Sequence, residues 1–142
     1  MVCTGNICRS PTMEAVARSR IEALRLAIRV DSAGTEGWHA GEAPDPRTIE
    51  VGEAAGFRLA PLRARKVRAA DFADFDLILA ADRSHLGRLR ALRPAESGAR
   101  VGLFLGEAEI PDPYYGTAAD FRAVLEMVRG RLEGWGGDLA DL

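Results

Sequence analysis

The chain has 142 residues, 47% hydrophobic and 28% charged, with 19 Lys and Arg against 21 Asp and Glu for a formal net charge of −2. That length suits a single domain over residues 1–142, able to bury roughly two-thirds of its unfolded surface without a disulfide or metal staple. The charge balance excludes a nucleic-acid binder relying on a broad positive field, and two cysteines exclude a secreted disulfide scaffold.

No apolar run reaches the ~18–20 residues that span a bilayer, and the N-terminus lacks the apolar core of a signal peptide. The expectation is a cytoplasmic protein with no membrane contact. Short apolar strands alternate with amphipathic helices. That order predicts an α/β fold, a doubly wound, four-stranded parallel sheet flanked by helices.

In chain order, Ser10 and Pro11 open the first helix, Ser as N-cap and Pro at the first helical position. Met13, Val16, Ala17, Ile21 and Leu24 form its apolar stripe. Residues 28–33 read as a strand ending at Gly34. The Gly- and Pro-rich residues 35–46 form a loop. A second helix covers residues 47–55 and is closed by Gly56. The continuous apolar run 76–81 reads as a buried strand. Asp82 caps a helix running to about Leu92. Residues 101–105 form another strand, and residues 110–116, with two prolines, a loop. The last helix carries Phe121, Val124, Leu125, Val128, Leu132 and Trp135 on one face.

Cys3-Thr4-Gly5-Asn6-Ile7-Cys8-Arg9-Ser10 is the most informative stretch. It sets a thiol and a tight turn directly before a helix N-terminus, where orphan N–H groups and the helix dipole favour an anion. Gly5 permits a close turn, so that successive N–H groups converge into a nest. Arg9 can grip two phosphate oxygens through its planar fork. The same positive surroundings favour the Cys3 thiolate. A thiolate beneath a bound phosphate is a nucleophile aimed at phosphorus.

The string VCTGNICRSP resembles the phosphate loop of the low-molecular-weight protein tyrosine phosphatases. The resemblance continues through Asp31-Ser32-Ala33-Gly34-Thr35, Arg63-Ala64-Arg65-Lys66-Val67, Asp71-Phe72, Ala81-Asp82-Arg83-Ser84-His85-Leu86 and Asp112-Pro113-Tyr114-Tyr115-Gly116. It implies a phosphotyrosine phosphatase working through a cysteinyl-phosphate. Cys3 would be the nucleophile. The amides of Thr4, Gly5, Asn6, Ile7, Cys8 and Arg9, with the Arg9 guanidinium, would bind the phosphate. Asp112 would be general acid, then general base. Ser10 would donate to the thiolate, and Asn6 would hold the loop's strained turn.

Ile7, Trp38, Tyr114 and Tyr115 are the candidate walls for an aryl ring. Cys8 resembles the family cysteine that forms a reversible disulfide with the nucleophile; a buried thiol under the loop is the other reading of it. No metal or cofactor is expected. The implied partner is a phosphotyrosine-bearing protein, a tyrosine kinase among the candidates, and the expected state a monomer or weak dimer.

Three departures stand out. Only Met1 and Val2 precede Cys3, so the first strand is cut short, and the expectation is that the sequence begins inside it. Leu62 lies where many relatives carry a His supporting the loop Asn, so Asn6 must be held from elsewhere or sit looser. Thr4 stands where Leu is frequent, adding a hydroxyl near the pocket mouth. His39 and His85 read as surface or supporting residues, and the basic run Arg63, Arg65, Lys66, Arg68 as a solvated loop face. An arsenate reductase using an external small thiol and a non-catalytic phosphate-binding module are the competing functions.

Overall fold

The computed structural model describes all 142 residues. Strand β1 (Val2–Cys3) is followed by helix α1 (Arg9–Ala23), β2 (Ala33–Gly34), α2 (Pro46–Ala54), the short α3 (Asp71–Asp74), β3 (Leu77–Ala80), α4 (Arg83–Leu92), β4 (Arg100–Leu103), α5 (Ala118–Leu132) and a final 3-10 turn (Leu139–Asp141). The four strands form one sheet in the order β2-β1-β3-β4, with every pairing parallel. The doubly wound expectation holds.

Though only two residues long, β1 is paired on both sides. Its carbonyls accept from Thr35 N on one flank and Ala81 N on the other. The strand order reverses at β1, and in such sheets the crevice beyond the carboxyl ends at that point takes the ligand.

Alternation along the strands sends side chains to two cores. Cys3, Leu79 and Ala81 face the layer made by Met13, Val16, Ala17 and Ile21 of α1 and Val124, Leu125, Val128 and Leu132 of α5. Val2, Ile78, Ala80 and Leu103 face Phe72 of α3 and Leu86 and Leu89 of α4.

Several expected boundaries shift. The predicted strand 28–33 is a strand only from Ala33, because β1 supplies just Val2 and Cys3 as partners. Helix α1 begins at Arg9 with Cys8 as N-cap; Ser10 lies inside the first turn, and its hydroxyl is used elsewhere. Leu24 is the C-cap and is exposed, so the buried stripe ends at Ile21. Helix α2 starts one residue early, at Pro46, with Asp45 accepting from Arg47 N as its cap. The one-turn α3 had no periodic signal. Trp135 lies past the end of α5 and reaches the core from the following turn, its indole donating to Asp138 O. Asp82 does cap α4, accepting from Ser84 N and His85 N.

Candidate active site

The loop from Cys3 to Arg9 turns at the carboxyl end of β1. Its carbonyls point outward: Thr4 O accepts from Glu36 N, Ile7 O from Asp45 N and Cys8 O from Thr12 N. The N–H groups of Thr4, Gly5, Asn6, Ile7 and Cys8 donate to no protein acceptor. Five consecutive free donors ahead of a helix N-terminus form an anion nest. Asn6 makes the turn with φ of 58°, a left-handed conformation that Asn tolerates better than most residues.

Asn6 is also the hub of the loop's support. Its Oδ1 accepts from Arg65 N at 3.0 Å, which fixes which end of the amide is oxygen. Nδ2 then donates to Ser10 Oγ at 2.8 Å and to Ser32 Oγ at 2.9 Å. Ser32 passes its own hydrogen to the buried Glu14 carboxylate at 2.6 Å. Arg18 closes the chain with an ion pair to Glu14 at 2.7 Å. With Asn6 donating to its oxygen, Ser10 has one hydrogen to give, and the nearer acceptor is Cys3 Sγ at 3.0 Å, ahead of Ala33 O at 3.4 Å. The support missing at Leu62 thus comes from Ser32, Glu14 and the Arg65 backbone.

Arg9 is buried and fixed at one end only. Nη1 donates to Asp82 Oδ2 at 2.7 Å and to Ile110 O at 2.9 Å. Nη2 faces Asp112 Oδ2 at 3.8 Å. Burial opposes ionisation of Asp82, but hydrogen bonds from Ser84 and Arg9 outweigh it and hold the carboxyl at about 2. Asp112 is half-exposed, and its Oδ1 accepts from Tyr114 N. Cys8 is buried with Ile7, Ala64 and Phe121. Burial pushes its thiol up to about 12, so it stays protonated at neutral pH.

Cys3, Thr4, Gly5, Ile7, Cys8, Arg9, Trp38, His39, Asp112, Tyr114 and Tyr115 line one cavity of about 190 Å³. Asn6 and Ser10 lie behind it. The aromatic residues stand at the rim: Trp38 is 71% exposed, Tyr114 39% and Tyr115 93%. The two tyrosine rings meet edge to face at 4.9 Å.

Sequence reasoning missed Arg47 here. Arg47, paired with Asp45, has its guanidinium 4.4 Å from the Phe121 ring and 5.5 Å from the Tyr114 ring, bracing that wall. His39 sits at the mouth, with Nδ1 2.7 Å from Glu42 Oε2. His85 is buried beside Arg9, in the supporting position and not on the surface. Arg65 is not part of the expected solvated face; its side chain bridges Asp31 and the buried Asp71. Asp31 lies 34 residues away, and Asp71, at a separation of 6, falls on no helical or strand period that would mark the pair.

A thiol, an amide nest and an anchored arginine at the switch point of a doubly wound sheet define the layout of a cysteine-dependent phosphatase. The model of the family "Low molecular weight phosphotyrosine protein phosphatase" matches residues 1–141. A low molecular weight protein-tyrosine-phosphatase of Streptomyces coelicolor is 44% identical over 144 residues, covering 94% of this chain and 87% of that one. A low molecular weight phosphotyrosine protein phosphatase of Schizosaccharomyces pombe is 45% identical over 130 residues, covering 84% and 82%. Among solved structures, the Entamoeba histolytica protein tyrosine phosphatase superposes with a TM-score of 0.87 at 34% identity, covering 93% of this chain and 89% of that one. The chain belongs to the low molecular weight phosphotyrosine protein phosphatase family.

Proposed function

We propose that this chain hydrolyses phosphotyrosine in proteins, with Cys3 as nucleophile, Arg9 and the loop amides as phosphate ligands and Asp112 as general acid and base. The observation that carries this reading is the row of unpaired N–H groups from Thr4 to Cys8 around the Cys3 thiol, facing Arg9 and Asp112. Cys3 Sγ attacks phosphorus in line as Asp112 gives its proton to the departing phenolate oxygen. The equatorial oxygens rest on the nest and on Arg9 Nη2, donors already oriented before charge develops. Ser10 donates to Cys3 and eases departure of the thiolate when water, deprotonated by Asp112, attacks the cysteinyl-phosphate. Ile7, Trp38, Tyr114 and Tyr115 receive the aryl ring.

Cys8 keeps two readings: a buried thiol under the loop, which its burial and protonated state favour, and a partner that closes a reversible disulfide with an oxidised Cys3. The two free thiols suit a reducing compartment, and the cytoplasm is the proposed location. The proposed working unit is one domain spanning residues 1–142, a monomer or weak dimer, with a tyrosine kinase among its substrates.

The test is phosphate release from a phosphotyrosine peptide by the wild-type chain, Cys3→Ser and Asp112→Asn. Cys3→Ser should abolish turnover and still bind phosphate. Asp112→Asn should slow substrates with poor leaving groups most. Turnover surviving in Cys3→Ser removes the mechanism; equal losses across leaving groups remove the acid role of Asp112.

A further inference from the structure

We propose that His85 is a positioning residue that makes the Thr4 side-chain hydroxyl an added hydrogen-bond donor to the bound phosphoryl group. The proposal rests on the phosphate-binding reading of the Cys3–Arg9 loop and goes beyond it, since that reading uses only the Thr4 backbone.

His85 is 2% exposed and occupies the first turn of α4. Two groups of Asp82 lie 3.2 Å from its Nδ1: the backbone N–H and Oδ1. The N–H has no other acceptor and points at Nδ1 with hydrogen-bond geometry. Oδ1 already accepts from Ser84 N, Ser84 Oγ and His85 N. Nδ1 is therefore the acceptor, and the ring hydrogen resides on Nε2. Burial, opposed by Asp82 and reinforced by Arg9, pushes the ring below its ordinary range and keeps it neutral.

Nε2 lies 2.7 Å from Thr4 Oγ1 and donates to it. Arg9 Nη2, 3.5 Å from the same nitrogen, is also a donor, so the ring does not hold it and it stays free for a ligand. With its oxygen accepting from His85, Thr4 must send its own hydrogen elsewhere. The hydroxyl has no other protein partner, and Thr4 lines the cavity above Cys3. A bound phosphoryl oxygen is the acceptor that this arrangement suits.

Inorganic phosphate is the probe, titrated calorimetrically and as a competitive inhibitor, against wild type, Thr4→Ser, Thr4→Val, His85→Leu and the double variant Thr4→Val/His85→Leu. Losing a hydrogen bond to a charged ligand should weaken phosphate by about tenfold in Thr4→Val. Thr4→Ser, which keeps the hydroxyl, should stay near wild type. His85→Leu should weaken phosphate too, and the double variant should fall short of the sum of the two losses. Nitrogen NMR of the wild-type ring should show Nδ1 without a proton, which a merely structural His85 would not require. Phosphate affinity in Thr4→Val equal to that of Thr4→Ser, or a proton on Nδ1, overturns the proposal. Should His85→Leu fail to fold, the Thr4 pair and the ring spectrum decide it. A chain that binds phosphate in this Thr4-dependent way and releases none from phosphotyrosine keeps the proposal and loses the phosphatase reading. A wild-type chain that binds no phosphate overturns both.

Discussion

Asn6 shows how much one residue can carry. It bends the loop at positive φ, within a stretch whose five N–H groups have no protein acceptor, and orients three neighbours through its amide. Asn6→Ala should retain the thiol and Arg9 and still lose the loop's geometry. Ser10, Ser32 and Arg65 N would each lack a buried partner. The expected cost is roughly 1–3 kcal/mol in stability, with a larger fall in turnover than the stability change alone would produce. Urea unfolding beside steady-state kinetics measures both; an unchanged kcat would mean that Arg9 and the backbone hold the nest without the amide. Asn6 was legible through the loop's resemblance to the family, which implies that it holds the turn. Its partners were not, because Ser32 and Arg65 lie 26 and 59 residues away.

At the scale of elements, β2 and the loop after β1 approach more closely than a side chain allows. A Cβ on Gly34 would lie 2.5 Å from Thr4 O and 2.8 Å from Glu36 O, both backbone atoms that cannot step aside cheaply. Gly34→Ala should push the phosphate loop out of register, destabilise by about 1–3 kcal/mol and weaken phosphate binding. Gly130 is the contrasting case. It lies on the exposed side of α5 with nothing near its missing Cβ, so Gly130→Ala should stabilise by roughly 0.5–1 kcal/mol. Thermal unfolding of the two variants checks the pair, and phosphate titration checks the first. The short pairing explains why the sequence pattern overstated β2. Ile28 and Val30 alternating with charged residues suggest a strand, but only pairing makes one, and the partner here is two residues long.

The whole molecule closes around ion pairs that join distant segments. Arg9 reaches Asp82 across 73 residues, and Arg65 ties Asp31 to Asp71. Asp82, held at about 2, is ionised in the fold well below the pH at which an unfolded Asp takes up its proton, near 3.9. Its stabilising effect is therefore complete above about pH 4 and is lost as pH falls from there towards 2. Asp82→Asn should remove that acid-sensitive component. At neutral pH it should cost roughly 2 kcal/mol or more, because the buried Arg9 guanidinium loses its counter-charge. Urea midpoints of both proteins from about pH 7 to about pH 2 give the comparison. Curves that stay parallel below pH 4 would show that other carboxylates dominate acid unfolding.

The sequence by itself determined the features carried by short windows. Cys3 and Arg9 sit within one loop, Asp112 opens a Pro-Tyr-Tyr-Gly turn, the strand at Leu77–Ala80 is a continuous apolar run, and Asp82 is a strong cap. These are nearest-neighbour effects of backbone preference and hydrophobic period. Only the tertiary structure decided what Ser10 does with its hydroxyl, why Glu14 is buried, that Arg65 is a tie and not a solvated charge, and that His85 meets Thr4 across 81 residues. A polar side chain finds its partner through the packing of whole elements. That placement follows from the sum of burial and chain geometry and leaves no pattern in the residues on either side.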